Sequence, residues 1–153
     1  MRLLISACLL GVCCRYDGAS KAHPLAQALA RRHTLIPVCP EQLGGLPTPR
    51  APSERQGDRV VSREGRDVTA EYLRGAEEAL RLMDFFHAEG AVLKERSPSC
   101  GKGLIYDGSF SGVLTEGDGV FAQKLRERGV PVYGESDISR LLEEAETAAF
   151  PNS

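Results

Sequence analysis

Nowhere do the 153 residues approach the roughly 20 consecutive apolar positions that a membrane-spanning helix requires. The first ten residues are apolar, yet they carry one basic residue and no small-residue cleavage site. They run straight into Gly11-Val12-Cys13-Cys14-Arg15, so they read as a buried strand and not as a secretion signal. Charge of one sign is also missing. Against 19 Lys and Arg stand 21 Asp and Glu, and a net charge of −2 gives no electrostatic reason to expect a nucleic-acid backbone as the main partner. A small molecule is the default ligand. There are no internal repeats and no low-complexity tract, and the length suits one domain, residues 1–153, able to bury one full core.

Nucleotide fingerprints are lacking as well. No G-x-G-x-x-G follows the first apolar run, and Gly101-Lys102 has Arg96 where a phosphate-binding loop needs a glycine. Structural zinc usually draws on a close cysteine pair with a short spacer, whereas Cys13 and Cys14 are adjacent. His23, His33 and His87 offer no paired spacing and read as helix-end or surface residues.

Five cysteines are present, an odd number in a chain with no export signal. That points to a reducing, cytoplasmic setting in which thiols stay available for metal or catalysis. Cys8 and Cys39 each close a strand-like apolar run, and Cys100 lies in the segment Lys94–Gly101 that follows a third. Apolar runs at 2–7, 34–38, 91–94 and 130–133 predict strands. Between them, the spacing predicts helices from Pro24 to Arg32, from Thr69 to about Glu89, from Asp118-Gly119 to Arg128 and from Asp137 to about Ala148. In the longest of these, Tyr72, Leu73, Ala76, Ala79, Leu80, Met83 and Phe86 form one stripe, with Asp67 or Thr69 as cap. The alternation predicts a compact three-layer α/β domain of Rossmann-like type, with a mainly parallel sheet of about four strands and helices on both faces. Parallel strands present their carboxyl ends along one edge, where Cys8, Cys39 and Cys100 can meet. Two segments interrupt the alternation. Residues 40–58 are rich in Pro and Gly and read as a long irregular, functional loop. Residues 101–119 are rich in Gly and suggest a small hairpin turning at Asp107-Gly108.

Cys8 followed by Arg15 also suggests a small cysteine phosphatase, in which a thiolate sits among backbone amides and an Arg clamps the phosphoryl oxygens. Six residues separate Cys8 from Arg15, one more than that cradle allows, and such chemistry needs neither Cys39 nor Cys100. Three dispersed cysteines better suit an iron–sulfur cluster with one iron left without a protein ligand, an open corner at which substrate can coordinate.

Ile5-Ser6-Ala7-Cys8-Leu9-Leu10-Gly11, Cys14-Arg15-Tyr16-Asp17-Gly18, Pro37-Val38-Cys39-Pro40-Glu41 with Gly44-Gly45-Leu46 and Pro49-Arg50, and Lys94-Glu95-Arg96-Ser97-Pro98-Ser99-Cys100-Gly101 together resemble the thiouracil desulfidase family over nearly the whole chain. The resemblance implies a compact α/β domain holding a 4Fe-4S cluster through Cys8, Cys39 and Cys100. It also implies non-redox removal of sulfur from a thiolated nucleobase such as 2-thiouracil, giving the oxo base and hydrogen sulfide. A soft thiocarbonyl sulfur suits a free iron, which would open the attached carbon to water. Glu41, two residues beyond Cys39, is the expected base. Its bland alternative is a cap or ion-pair partner. Ser97 or Ser99 would hold the base or relay a proton, against the alternative of a turn-forming Ser-Pro-Ser. Arg50 and Lys102 are candidates for orienting a polar ring. Cys14 could serve as a fourth ligand, which would close the cluster and make the chain a non-catalytic cluster or persulfide-binding module; Cys13 reads as core or incidental. Free base, nucleoside and tRNA nucleotide all fit a thiolated substrate, with the weak net charge arguing against a large RNA. No feature of the sequence bears on oligomeric state.

Overall fold

The computed structural model describes residues 1–149, so the last four residues of the expected 1–153 domain lie outside the described part. Four strands, β1 (Arg2–Ser6), β2 (Thr34–Val38), β5 (Gly90–Leu93) and β8 (Val132–Gly134), form a sheet in the order β2-β1-β5-β8. All three pairings are parallel, with Ile5 opposite both Pro37 and Val92. The sheet is the predicted α/β core. Its central strands, β1 and β5, read as apolar runs because both faces are covered, and every residue of β5 is buried.

Alternation along β1 sends side chains to two separate cores. Leu3 and Ile5 pack with Leu29 of helix α1 (Ala26–Arg32) and with Ile138 and Leu141 of helix α5 (Ile138–Ala149). Leu4 packs on the opposite face with Tyr72, Ala76, Ala79, Leu80 and Met83 of α3 (Thr69–Phe86) and with Phe121 and Leu125 of α4 (Val120–Glu127). The result is three layers, helix on sheet on helix. Among the described residues no helix is long and apolar enough to cross a membrane.

The stripe predicted for α3 is largely buried, with two exceptions: Leu73 and Phe86 stay exposed. Gly75 takes part in the buried face in their stead. The helix stops at Phe86 because His87 adopts the left-handed conformation, φ 54°. Asp67 acts at the other end, its Oδ1 accepting from the Thr69 amide at 2.9 Å.

The segment 40–58 is not structureless. It holds a short helix, α2 (Pro40–Leu43), and then β3 (Ser53–Gln56), which pairs antiparallel with β4 (Arg59–Ser62). The prolines of the segment, at 40, 47, 49 and 52, all precede the hairpin and lie within neither of its strands. The Gly-rich segment does form a hairpin, β6 (Leu104–Tyr106) with β7 (Leu114–Glu116), but the connection is the longer loop 107–113 and not a two-residue turn. The first predicted helix begins at Ala26, two residues beyond Pro24, and the chain after β1 turns at once into a 3-10 turn, Ala7–Leu10, that carries Cys8.

Helices α2 and α3 approach through glycines. A Cβ built on Gly75 would lie 1.8 Å from the Pro40 carbonyl oxygen, and one on Gly44 would lie 1.9 Å from that of Glu71. The contact fixes α2, and with it the residues after β2, against the longest helix. An isolated helix gains up to about 1 kcal/mol when Ala replaces Gly. Here overpacking, about 1–3 kcal/mol, has the opposite sign. Gly75→Ala is therefore expected to lower the thermal midpoint followed by circular dichroism by several degrees; a midpoint unchanged or raised would mean the two backbones part freely.

Candidate functional site

In a sheet of this order, with the chain running from β1 to β2 and then back across to β5, the crevice opens beyond the carboxyl ends of β1 and β5. A cleft of about 550 Å³ lies there. Cys8 reaches it from the turn after β1, Cys39 from the end of β2 and Cys100 from the loop after β5. Cys14 lines it too. All five cysteines are free thiols, and Cys13, read as core or incidental, is exposed.

Each thiol is positioned by its own local device. The 3-10 turn bearing Cys8 closes on Gly11, whose φ of 97° demands glycine and whose amide donates to the Cys8 carbonyl at 3.2 Å. Cys39 is the extended residue before Pro40, which starts α2. Around Cys100 the Ser97 hydroxyl accepts from the amides of Ser99 and Cys100, both at 3.1 Å. The carbonyls of Pro98 and Ser99 in turn accept from the first amides of α4, those of Val120, Phe121 and Ala122. That stacking needs Gly119, where a Cβ would stand 2.4 Å from the Ser99 carbonyl carbon.

The thiols influence one another. Burial pushes the Cys100 thiol up to about 12; the nearby charges of Glu41 and Cys39 add to this, while the hydroxyls of Ser6 and Ser99 pull the other way. A hydrogen bond with Cys14, and then burial, push the Cys39 thiol far above its ordinary value. Cys14 is drawn down by that same bond, but its bond to Cys8, burial and the Cys8 charge leave it raised. Thiols so raised give up their protons only in exchange for another positive charge.

Glu41 stands beside them on α2. Its Oε1 accepts from the Tyr72 hydroxyl at 2.7 Å and from Arg50 Nε at 3.3 Å, and the residue lines the cleft. Burial, reinforced by the Glu41 charge, holds the Tyr72 phenol well above its usual range, so it remains a donor. Arg50 also donates from Nη2 to the Cys14 carbonyl at 2.9 Å and from Nη1 to the Pro47 carbonyl at 3.1 Å. One guanidinium thus ties the Cys8–Cys14 loop to the loop after Cys39.

Ser97 lines the cleft. Ser99 does not: it is buried, and its hydroxyl lies near the Cys100 sulfur without a hydrogen bond of normal geometry. Lys102, expected to orient a ring, is not among the residues lining the cleft and pairs with Asp137 at 3.6 Å. The phosphatase cradle is not built either. Arg15 pairs with Asp17 at 3.9 Å and lies over the Tyr16 ring, and α1 begins only at Ala26, well after Cys8 in the chain, so no helix follows the Cys8 loop directly.

Sequence reasoning missed Ser6, Tyr72 and Glu54. Ser6 is buried at the end of β1, accepts from the Lys94 amide at 2.9 Å and contacts the Cys100 thiol, joining two strand ends to the third cysteine. The signal was there: a lone hydroxyl directly after the apolar, buried run Leu3-Leu4-Ile5. Tyr72 was legible only as a core residue. Glu54 lines the cleft from β3, within the segment read as irregular.

Comparison with known proteins bears on the fold and the family. A solved structure described as a 4Fe-4S-dependent thiouracil desulfidase, TudS, is 46% identical, superposes with a TM-score of 0.88, and the match covers 95% of this chain and 97% of that one. An uncharacterized protein of Bacillus subtilis strain 168, YbbK, is 38% identical over 150 residues, spanning 92% of this chain and 99% of its own length. The family model for 2-thiouracil desulfurase matches residues 3–137, and the chain therefore belongs to the 2-thiouracil desulfurase family.

Proposed function

We propose that the chain works as one domain in the reducing cytoplasm, holding a 4Fe-4S cluster on Cys8, Cys39 and Cys100 with one iron free of protein ligand. There it releases hydrogen sulfide from a small thiolated base such as 2-thiouracil. The observation that carries this reading is that three adjacent parallel strands deliver three thiols and Glu41 to one cleft. The donor set fits the group, since thiolates are the ligands iron in such clusters prefers. The Ser99 hydroxyl, buried beside Cys100 with no hydrogen-bond partner among the described residues, offers a donor to a cluster sulfide. Among those residues no three His, Cys, Asp or Glu side chains converge on a point suited to a single metal ion.

When bound, the cluster supplies a soft Lewis acid for the thiocarbonyl sulfur. The chain's own groups do the rest. Glu41, with Oε1 held by Tyr72 and Arg50, takes a proton from the attacking water through Oε2. Ser97 Oγ accepts two amide bonds and so keeps its own proton to donate toward the departing sulfur. Water adds its oxygen to the carbon and its two protons end on sulfide, so carbonyl replaces thiocarbonyl with no net electron transfer.

A second reading rests on Cys14, which lines the cleft and whose carbonyl accepts from the Cys39 thiol at 3.8 Å: as a fourth ligand it would leave no iron for substrate and make the chain a non-catalytic module. Anaerobic reconstitution, followed by iron and sulfide analysis and assay of sulfide release from 2-thiouracil on the same sample, separates the two. Cys8→Ser, Cys39→Ser or Cys100→Ser is expected to cut bound iron sharply. Cys14→Ser should retain iron and turnover, and loss of iron in that variant would favour the module.

Glu41→Gln should lower the rate of sulfide release by about 100-fold or more while the cluster absorbance persists. Turnover equal to the parent protein would remove Glu41 as the base.

A further inference from the structure

One wall of the cleft is built from the two hairpins, and the cysteine chemistry makes no use of it. Glu54 on β3 and Phe110 in the loop 107–113 both line the cleft. Phe110 is half-buried and sits in the left-handed region at φ 56°, a costly conformation for a bulky side chain. Strain of that kind persists only where the surroundings over-determine it.

The surroundings do so here. Glu54 is nine-tenths buried, and its Oε1 accepts from the amides of Gly108 at 3.0 Å and Phe110 at 3.1 Å. Hydrogen bonds to a charged acceptor of this kind are stronger than neutral ones, and together they pin the loop at the strained residue. Gln56, two residues along β3, donates from Nε2 to the Gly108 carbonyl at 2.8 Å. Gly108 itself leaves no room for a side chain, since a Cβ would stand 2.9 Å from the Arg55 carbonyl oxygen. The ring so positioned has the Arg63 guanidinium 5.8 Å from its centroid. A strained, doubly anchored phenyl group at the wall of a ligand cleft, with a cation on it, is a surface for a flat π system.

We propose that Phe110 is the stacking platform that makes the cleft selective for planar heteroaromatic rings, and that Glu54 is the positioning residue that holds the platform in place. The inference rests on the desulfidase reading for its substrate but not for its geometry. The thiolated ring lies against Phe110, which orients the thiocarbonyl toward the cysteines, and an open-chain thioamide gains nothing from this contact. Tyr106, on the strand leading into the loop, also lines the cleft and extends the aromatic wall.

The test uses anaerobically reconstituted protein and two readouts: steady-state sulfide release against 2-thiouracil concentration, and equilibrium dialysis of uracil, which reports ring binding without turnover. Phe110→Leu keeps apolar volume and removes the flat ring. It should raise KM and the uracil Kd roughly tenfold or more, with a much smaller change in kcat, and Phe110→Trp should recover both. Glu54→Leu should reproduce the Phe110→Leu phenotype, while Glu54→Gln, which retains an acceptor oxygen, should recover most of the binding. Uracil bound as tightly by Phe110→Leu as by the parent overturns the platform. A parent protein that binds uracil in a Phe110-dependent way but releases no sulfide would instead overturn the desulfidase reading and leave the platform standing.

Discussion

Parallel pairing of β1 with β2 on one side and β5 on the other is the constraint on which the rest depends. It sets the carboxyl ends of three strands side by side, and each is followed by a short, rigid device that presents a cysteine. Because β1 and β5 are buried on both faces, a slip in their register would expose apolar residues on either side. The edge of the sheet is therefore as well determined as its core, and the thiols inherit that precision.

Around this edge, backbone contacts do most of the positioning. The glycine contact between α2 and α3 holds Glu41 within reach of Tyr72, and the carbonyls of Pro98 and Ser99 seated on the start of α4 place Cys100. Such contacts leave the facing side chains free for chemistry. Arg50 then joins the two loops that flank the cleft, and with Tyr72 it holds the Glu41 carboxylate in one orientation. The cap and ion-pair role that a bland reading assigns to Glu41 is thus part of the arrangement that would let it act.

The bland and the functional readings divide differently for the serines. Ser97 makes the turn, as Ser-Pro-Ser predicts, and also lines the cleft. Ser99 is withdrawn from the cleft and buried beside a ligand candidate. Cys14 and Lys102 show the reverse of each other: one thiol read as ambiguous lies among the others, and one ammonium read as a candidate is occupied by Asp137 outside the cleft.

Period and punctuation in the sequence were enough to determine the four strands, the long α3 stripe, the helix boundaries within a few residues and the three cysteines at the strand ends, because these follow from local apolar spacing and from Gly, Pro and Asp at the stops. The four motif blocks also carried the family. Tertiary structure alone decided that β3 and β4 pair just after a proline-rich stretch, that Ser6 touches Cys100, that the Cys14 carbonyl meets the Cys39 thiol, and that Glu54 anchors the loop of Phe110. Each of these is a contact between residues distant in sequence or set in irregular backbone. No periodicity encodes which polar groups will meet across a cleft, because that depends on where the layered core leaves its surfaces.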